Sequence, residues 1–65
     1  MRYAKIRGLI REKFGTQEAF AAAMNMDPST LSRKLSGQSD WTRQEMQDTC
    51  ELLGISIDDV PSYFF

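Results

Sequence analysis

Two helix-start signals stand close together in the segment from residue 16 to residue 37, TQEAFAAAMNMDPSTLSRKLSG. Thr16 is a suitable N-cap for one helix, and Asp27 followed by Pro28 suits the start of another, because the first helical position needs no N–H. Asn25, between them, tolerates the left-handed backbone that a tight turn requires. The segment therefore predicts two short helices joined by a tight turn.

The two predicted helices share an apolar face, in which the small Ala21 lets them approach closely. That face comprises Phe20, Ala21, Met24, Met26, Leu31 and Leu35. The outward face of the second helix is polar and basic, with Ser29, Thr30, Ser32, Arg33 and Lys34. A helix with such a face is suited to enter the major groove of DNA.

Further helices are predicted on both sides of this pair. An apolar stripe through Ile6, Ile10 and Phe14 predicts a helix over residues 2–14, which Gly15 ends. Thr42 and Glu45 have the spacing of a capping box, and Trp41 and Met46 that of a hydrophobic staple.

The helix that begins at Thr42 is predicted to stop at Gly54, with Ile55 folding back in a Schellman-type closure. Residues 56–65 form a short fifth element, in which Ser56 and Asp59 repeat the capping spacing and Pro61 limits the helix to about one turn. The pattern as a whole predicts an all-α fold of five short helices in one domain, residues 1–65.

Charge is segregated along the chain. The formal net charge is −1, which is unusual for a DNA-binding domain. Residues 1–34, however, carry seven cations against three anions, a net charge of +4, and residues 35–65 carry one cation against six anions, a net charge of −5. The basic half is the half that contains the predicted DNA-facing helix.

The segment resembles the helix-turn-helix of the phage repressor and Cro-like family, within the lambda-repressor-like (XRE) superfamily. The matching residues are Thr16, Gln17, Phe20, Ala21, Met24, Asn25, Met26, Asp27, Thr30, Leu31, Ser32 and Arg33. The stretches REKFGT, ELLGI and the terminal YFF are similar to small phage proteins of the same superfamily. The resemblance implies a helix-turn-helix over about 16–37, a recognition helix over about 28–36, and a weak homodimer that binds double-stranded DNA at a palindromic operator.

Arg33 is the expected base reader, because its guanidinium matches the O6/N7 edge of guanine. The resemblance places Gln17 at a phosphate or base contact, although an exposed helix former is the alternative. Lys34 is expected to contact phosphate or to be solvated. The remaining candidates for DNA contact are Pro28, Ser29, Thr30, Gln38 and Arg43.

The terminal aromatic residues have two interpretations. In the first, one or two of these apolar rings close the core against the first helix. In the second, they also form a dimer contact, as the fifth helix does in some Cro-like domains. The dimer candidates are Tyr63, Phe64 and Phe65.

Residues that would support catalysis or cofactor binding are missing from the sequence. It has no histidine, no glycine-rich phosphate loop and no clustered metal ligands, and Cys50 falls on an apolar stripe. We therefore expect no enzyme activity, no metal or other cofactor, and no small-molecule ligand. The sequence has a single cysteine, and it shows neither a signal peptide nor an apolar run of membrane-spanning length. We therefore expect a cytoplasmic protein that does not contact a membrane.

Two functional hypotheses remain. The first is a sequence-specific DNA-binding regulator of the phage Cro or repressor type. The alternative is a helical protein-interaction module on the same fold, an antirepressor or a partner of a transcription protein, which the acidic second half and the YFF end favour. An exposed positive patch on the second helix of the pair favours DNA, and a neutralised face favours the protein partner.

Overall fold

In a computed structural model of the chain, residues 3–64 are described, and they form five α-helices and one 3-10 turn, without a β-strand. The elements are α1 (Ala4–Phe14), α2 (Gln17–Ala23), α3 (Pro28–Leu35), α4 (Arg43–Leu53), the 3-10 turn η1 (Ile57–Asp59) and α5 (Val60–Phe64). The prediction of an all-helical protein with five helices is confirmed over this range. None of these helices has the length and hydropathy needed to cross a membrane.

The predicted apolar faces meet in one core. α1 packs against α2 and α4, and α2 packs against α3. Each of the four longer helices contributes fully buried side chains, which are Ile6, Ile10, Phe20, Leu31, Leu35, Thr49 and Leu53. The small Ala21 is also fully buried, as close approach of α2 and α3 requires.

Capping side chains start two of the helices as predicted. The Thr16 hydroxyl accepts a hydrogen bond from the Ala19 N–H at 3.1 Å. The Thr42 hydroxyl accepts from the Glu45 N–H at 3.1 Å, and Glu45 Oε1 accepts in return from the Thr42 N–H at 2.8 Å. This reciprocal pair is a complete capping box.

Asp27 occupies the N-cap position of α3, but its side chain caps no amide. Its Oδ2 instead accepts from the Ser29 hydroxyl at 3.3 Å. Asp27 is therefore the N-cap residue of α3, as predicted, although its carboxylate bonds the Ser29 hydroxyl and not a backbone amide. Proline at the next position still suits the start of the helix, since it removes an N–H that would lack an acceptor.

The turn between α2 and α3 is the predicted one. Asn25 has a φ of 59°, in the left-handed region. The Met26 N–H donates to the Ala21 carbonyl at 2.8 Å and the Asn25 N–H donates to the Ala22 carbonyl at 3.1 Å, which is the Schellman pattern. The end of α4 also has a left-handed residue, Gly54 with a φ of 71°, and the Ile55 N–H donates to the Cys50 carbonyl at 2.9 Å.

Pro61 does not end the last helix as predicted. It is the second residue of α5, which continues to Phe64. A first-turn position tolerates proline because the amide there has no intrahelical acceptor. Ser56 is the N-cap of the preceding 3-10 turn η1, and its hydroxyl accepts from the Asp58 N–H at 3.4 Å and not from that of Asp59.

The aromatic residues near the C-terminus close the core. Phe64 is 8% exposed, and its ring packs edge-on against Trp41 and Tyr3, with centroid distances of 5.5 and 6.3 Å. Tyr63 is half-buried, with the Lys5 ammonium 5.8 Å from its ring centroid. The core-closing interpretation thus holds for Phe64, whereas the proposed dimer role of Phe65 lies outside the described residues.

Candidate functional site around helix α3

Helix α3 presents a polar face to solvent directly after the Asn25 turn. Leu31 and Leu35 are fully buried against the core. Ser29, Ser32 and Arg33 are exposed. This part of the sequence-based prediction of an outward face agrees with the structure.

Lys34 does not belong to that exposed face. It is 7% exposed, its Nζ donates to the Asp40 carbonyl oxygen at 2.8 Å, and it lies 2.9 Å from Glu45 Oε1. The expectation that Lys34 is solvated or reaches phosphate is therefore wrong. Lys34 lies three residues after Leu31 and directly before Leu35, so it falls on the buried side of the helix, where a carbonyl and a carboxylate satisfy its charge.

Glu45 links this ion pair to the start of α4. Partial burial of Glu45 acts to raise its pKa, but the hydrogen bond from the Thr42 N–H and the nearby Lys34 ammonium act in the opposite direction and leave the pKa below its usual value. One carboxylate oxygen thus serves both the capping box and the Lys34 ion pair. The contact fixes the C-terminal turn of α3 against the N-terminus of α4.

Arg7 makes a second contact with the end of α3, which the sequence did not indicate. Its Nη2 donates to the carbonyl of Leu35, the last residue of α3, at 3.1 Å. A cation at this position also interacts favourably with the negative end of the helix dipole. The sequence analysis did not single out Arg7, because a side chain that crosses between helices leaves no local spacing signal.

The other DNA-contact candidates are distributed over several surfaces. Thr30 is half-buried, and four candidates are exposed: Pro28, Ser29, Arg33 and Gln38. Gln17 is half-buried and lines a cleft of about 610 Å³ between α1 and α2, together with Arg7 and Arg11. We call this the α1–α2 cleft.

Arg43 lies on a different surface from α3. It is exposed at the start of α4 and lines a groove of about 600 Å³ that α4 forms with η1 and the first residue of α5. We call this the α4–η1 groove. Its lining is largely apolar, and it includes Ile57, whose side chain is 82% exposed. The sequence analysis did not identify this groove, because Ile57 stands in an acidic stretch without apolar periodicity.

Comparison with known proteins relates the chain to a phage regulatory protein. Its structure superimposes on the solution structure of the modulator of repression (MOR) of the temperate bacteriophage TP901-1 from Lactococcus lactis, with a TM-score of 0.86 and 38% sequence identity. The match covers 97% of this chain and 85% of that one. No curated protein sequence matches significantly. A family model described as a protein of unknown function, DUF739, matches residues 1–65, and the chain therefore belongs to the DUF739 family.

Proposed function

We propose that this chain modulates phage repression by binding a protein of the repression machinery, and that its helix-turn-helix-like pair α2–α3 is not primarily a reader of DNA sequence. The observation that carries the proposal is the similarity to the modulator of repression of TP901-1, at 38% identity over nearly the whole chain. The proposal corresponds to the protein-interaction hypothesis that the sequence left open.

The charge on α3 supports this choice over operator binding. Affinity for DNA depends mainly on cations that neutralise phosphates. Of the two cations in α3, Lys34 is buried and paired with Glu45, so Arg33 is the one that remains exposed. The exposed Asp27 stands at the N-terminal end of the same helix. The outward face of α3 is therefore close to neutral.

DNA binding stays as a second candidate, and a specific observation favours it. The α1–α2 cleft is lined by Arg7, Arg11 and Gln17; Arg11 is exposed and available to a phosphate, whereas Arg7 already donates to the Leu35 carbonyl. Arg33 remains available for a bidentate contact with guanine. If this candidate is correct, Arg33→Ala costs about 1–3 kcal/mol of binding and relaxes preference at one base position.

Two binding experiments on the purified chain separate the candidates. The first presents a random DNA duplex pool and sequences what is retained. The second titrates the chain, without DNA, into purified repressors of temperate phages, beginning with that of TP901-1. We expect saturable binding to a repressor and no enriched duplex. An enriched palindrome with steep salt dependence, and no repressor binding, would refute the proposal and establish the DNA-binding candidate.

A functional readout tests the same proposal in cells. A reporter gene is placed under a promoter that the bound repressor silences, and the chain is co-expressed. We expect reporter output to change with the dose of the chain. The matched control is the same reporter without the repressor, in which the chain should have no effect, since a direct operator binder would act there too.

A further inference from the structure

The α4–η1 groove combines an apolar floor with an acidic edge. Its lining includes three partly buried side chains, those of Met46, Cys50 and Val60. Part of their apolar surface packs against the core, and the rest remains accessible to solvent. Ile57 adds an 82% exposed aliphatic side chain to the same surface, and it is the one large hydrophobic residue that is exposed among residues 3–64. A single exposed isoleucine is ordinary in proteins, but one that continues an open apolar groove extends a contiguous patch.

One carboxylate lines this surface, and two more follow Ile57 in the chain. Glu51 lines the groove, and Asp58 and Asp59 follow Ile57 directly in η1; all three are exposed. Within the described part of the chain, the one ion pair is that of Lys34 with Glu45, so these three carboxylates have no cationic partner there. The groove therefore offers uncompensated negative charge beside exposed apolar surface.

The groove runs along α4 and carries opposite charges at its two ends. Arg43, Met46, Cys50 and Glu51 lie on one stripe of α4, because their spacings follow the helical repeat. The rise from Arg43 to Glu51 is about 12 Å, which matches roughly two turns of a second helix laid alongside. Positive charge stands at one end of this stripe, and negative charge stands at the other end and on η1.

We propose that the α4–η1 groove binds a basic amphipathic helix of a partner protein. The apolar side chains of that helix would pack on Met46, Cys50 and Ile57, and its Lys or Arg residues would face Glu51, Asp58 and Asp59. This is the helix-in-groove mode of recognition, and the thioether of Met46 adapts readily to different packing partners. The inference rests on the proposed function, because the helix belongs to the protein partner invoked there.

The first test uses a synthetic probe, so that it does not depend on the identity of the partner. Backbone amide NMR shifts of the labelled chain are followed during titration with an amphipathic Lys/Leu peptide of about 14 residues, or four helical turns. A Glu/Leu peptide of the same length and pattern is the control. We expect saturable shifts at Met46, Cys50, Ile57 and Val60 with the basic peptide alone. Shifts confined to α1 or α3, or equal binding of both peptides, would overturn the proposal.

Variants test the two components of the groove separately. Ile57→Ser removes the exposed aliphatic group, and Asp58→Lys reverses one charge; each is expected to weaken binding of the Lys/Leu peptide at least tenfold. Glu12→Lys, at an exposed position of α1, is the matched charge control and should weaken it by less than twofold. Because Ile57 and Asp58 are exposed, the urea unfolding midpoints of both variants should stay at the wild-type value, which separates loss of binding from loss of fold.

The same variants, titrated against a repressor that binds the wild-type chain, distinguish this inference from the proposed function. Retained repressor binding by Ile57→Ser and Asp58→Lys would refute the groove and leave the proposed function intact. Absence of any repressor binding by the wild type, with the peptide results as expected, would refute the proposed function and leave the groove as a basic-helix site. A concentration-dependent dimer that Ile57→Ser abolishes in sedimentation would instead make a second copy the occupant and overturn the proposal.

Discussion

The ammonium of Lys34 lies 2.9 Å from Oε1 of Glu45, the oxygen that also accepts the Thr42 N–H of the α4 capping box. A lysine near the end of α3 is thereby tied to the first turn of α4. The contact has a structural consequence, since it fixes two helices, and a functional one, since it removes a cation from the outward face of α3.

Replacement of Lys34 by methionine should destabilise the fold by about 1–3 kcal/mol. Methionine keeps much of the apolar volume but leaves the Asp40 carbonyl without its donor and the partly buried Glu45 without its counter-ion. The measurement is the free energy of unfolding in urea. Arg33→Met, an exposed neighbour in the same helix, is the control and should change stability by less than about 0.5 kcal/mol. Equal effects of the two substitutions would contradict the structural role of Lys34.

Acid should weaken the fold partly through Glu45. The pKa of Glu45 is lowered in the folded chain, so its contribution to stability is full above the ordinary pKa of a glutamate and is lost as pH falls through the lowered value. The difference in unfolding free energy between wild type and Glu45→Gln, measured in urea from pH 7 down to pH 3, should therefore shrink towards acid. In the Lys34→Met background this pH dependence should be smaller, and an unchanged profile there would show that Lys34 does not set the pKa of Glu45.

Gly8→Ala should stabilise the chain by about 0.5–1 kcal/mol. Gly8 lies inside α1, and a Cβ built there meets no atom within 4 Å. Alanine favours the helix because it restricts the unfolded chain more than glycine does. Gly54→Ala is the contrasting variant and should destabilise, because its φ of 71° strains any residue with a Cβ. Thermal unfolding of both variants checks the signs, and a loss of stability in Gly8→Ala would reveal a packing role for this glycine.

Phe64→Ala should lower the unfolding free energy by about 3 kcal/mol, because it removes a buried ring that contacts Trp41 and Tyr3. Ser62→Ala, an exposed change in the same helix, should have little effect. Urea unfolding is combined with sedimentation at several concentrations. If Phe64→Ala kept wild-type stability but lost a dimer that the wild type forms, the ring would be a dimer contact rather than part of the core.

The sequence by itself determined the local elements. Thr16, Asn25, Thr42 and Gly54 act through hydrogen bonds and backbone angles that span only a few residues, so the starts and ends of the helices could be predicted from their spacing. The periodicity of apolar residues likewise identified most of the core. Pro61 was misjudged because proline is compatible with both the start and the interruption of a helix, and the sequence did not show which applied.

Only the tertiary structure decided which charged and apolar groups remain exposed. Lys34 meets Asp40 and Glu45, and Arg7 meets Leu35 at a separation of 28 residues along the chain. The exposure of Ile57 likewise depends on how η1 packs beside α4. The helical period places Lys34 on the buried side of α3, but the groups that it and Arg7 meet lie on other elements, and neither the period nor a capping pattern specifies them. For that reason the sequence predicted the shape of the α2–α3 pair, whereas the near-neutral face of α3 and the α4–η1 groove emerged from the packing.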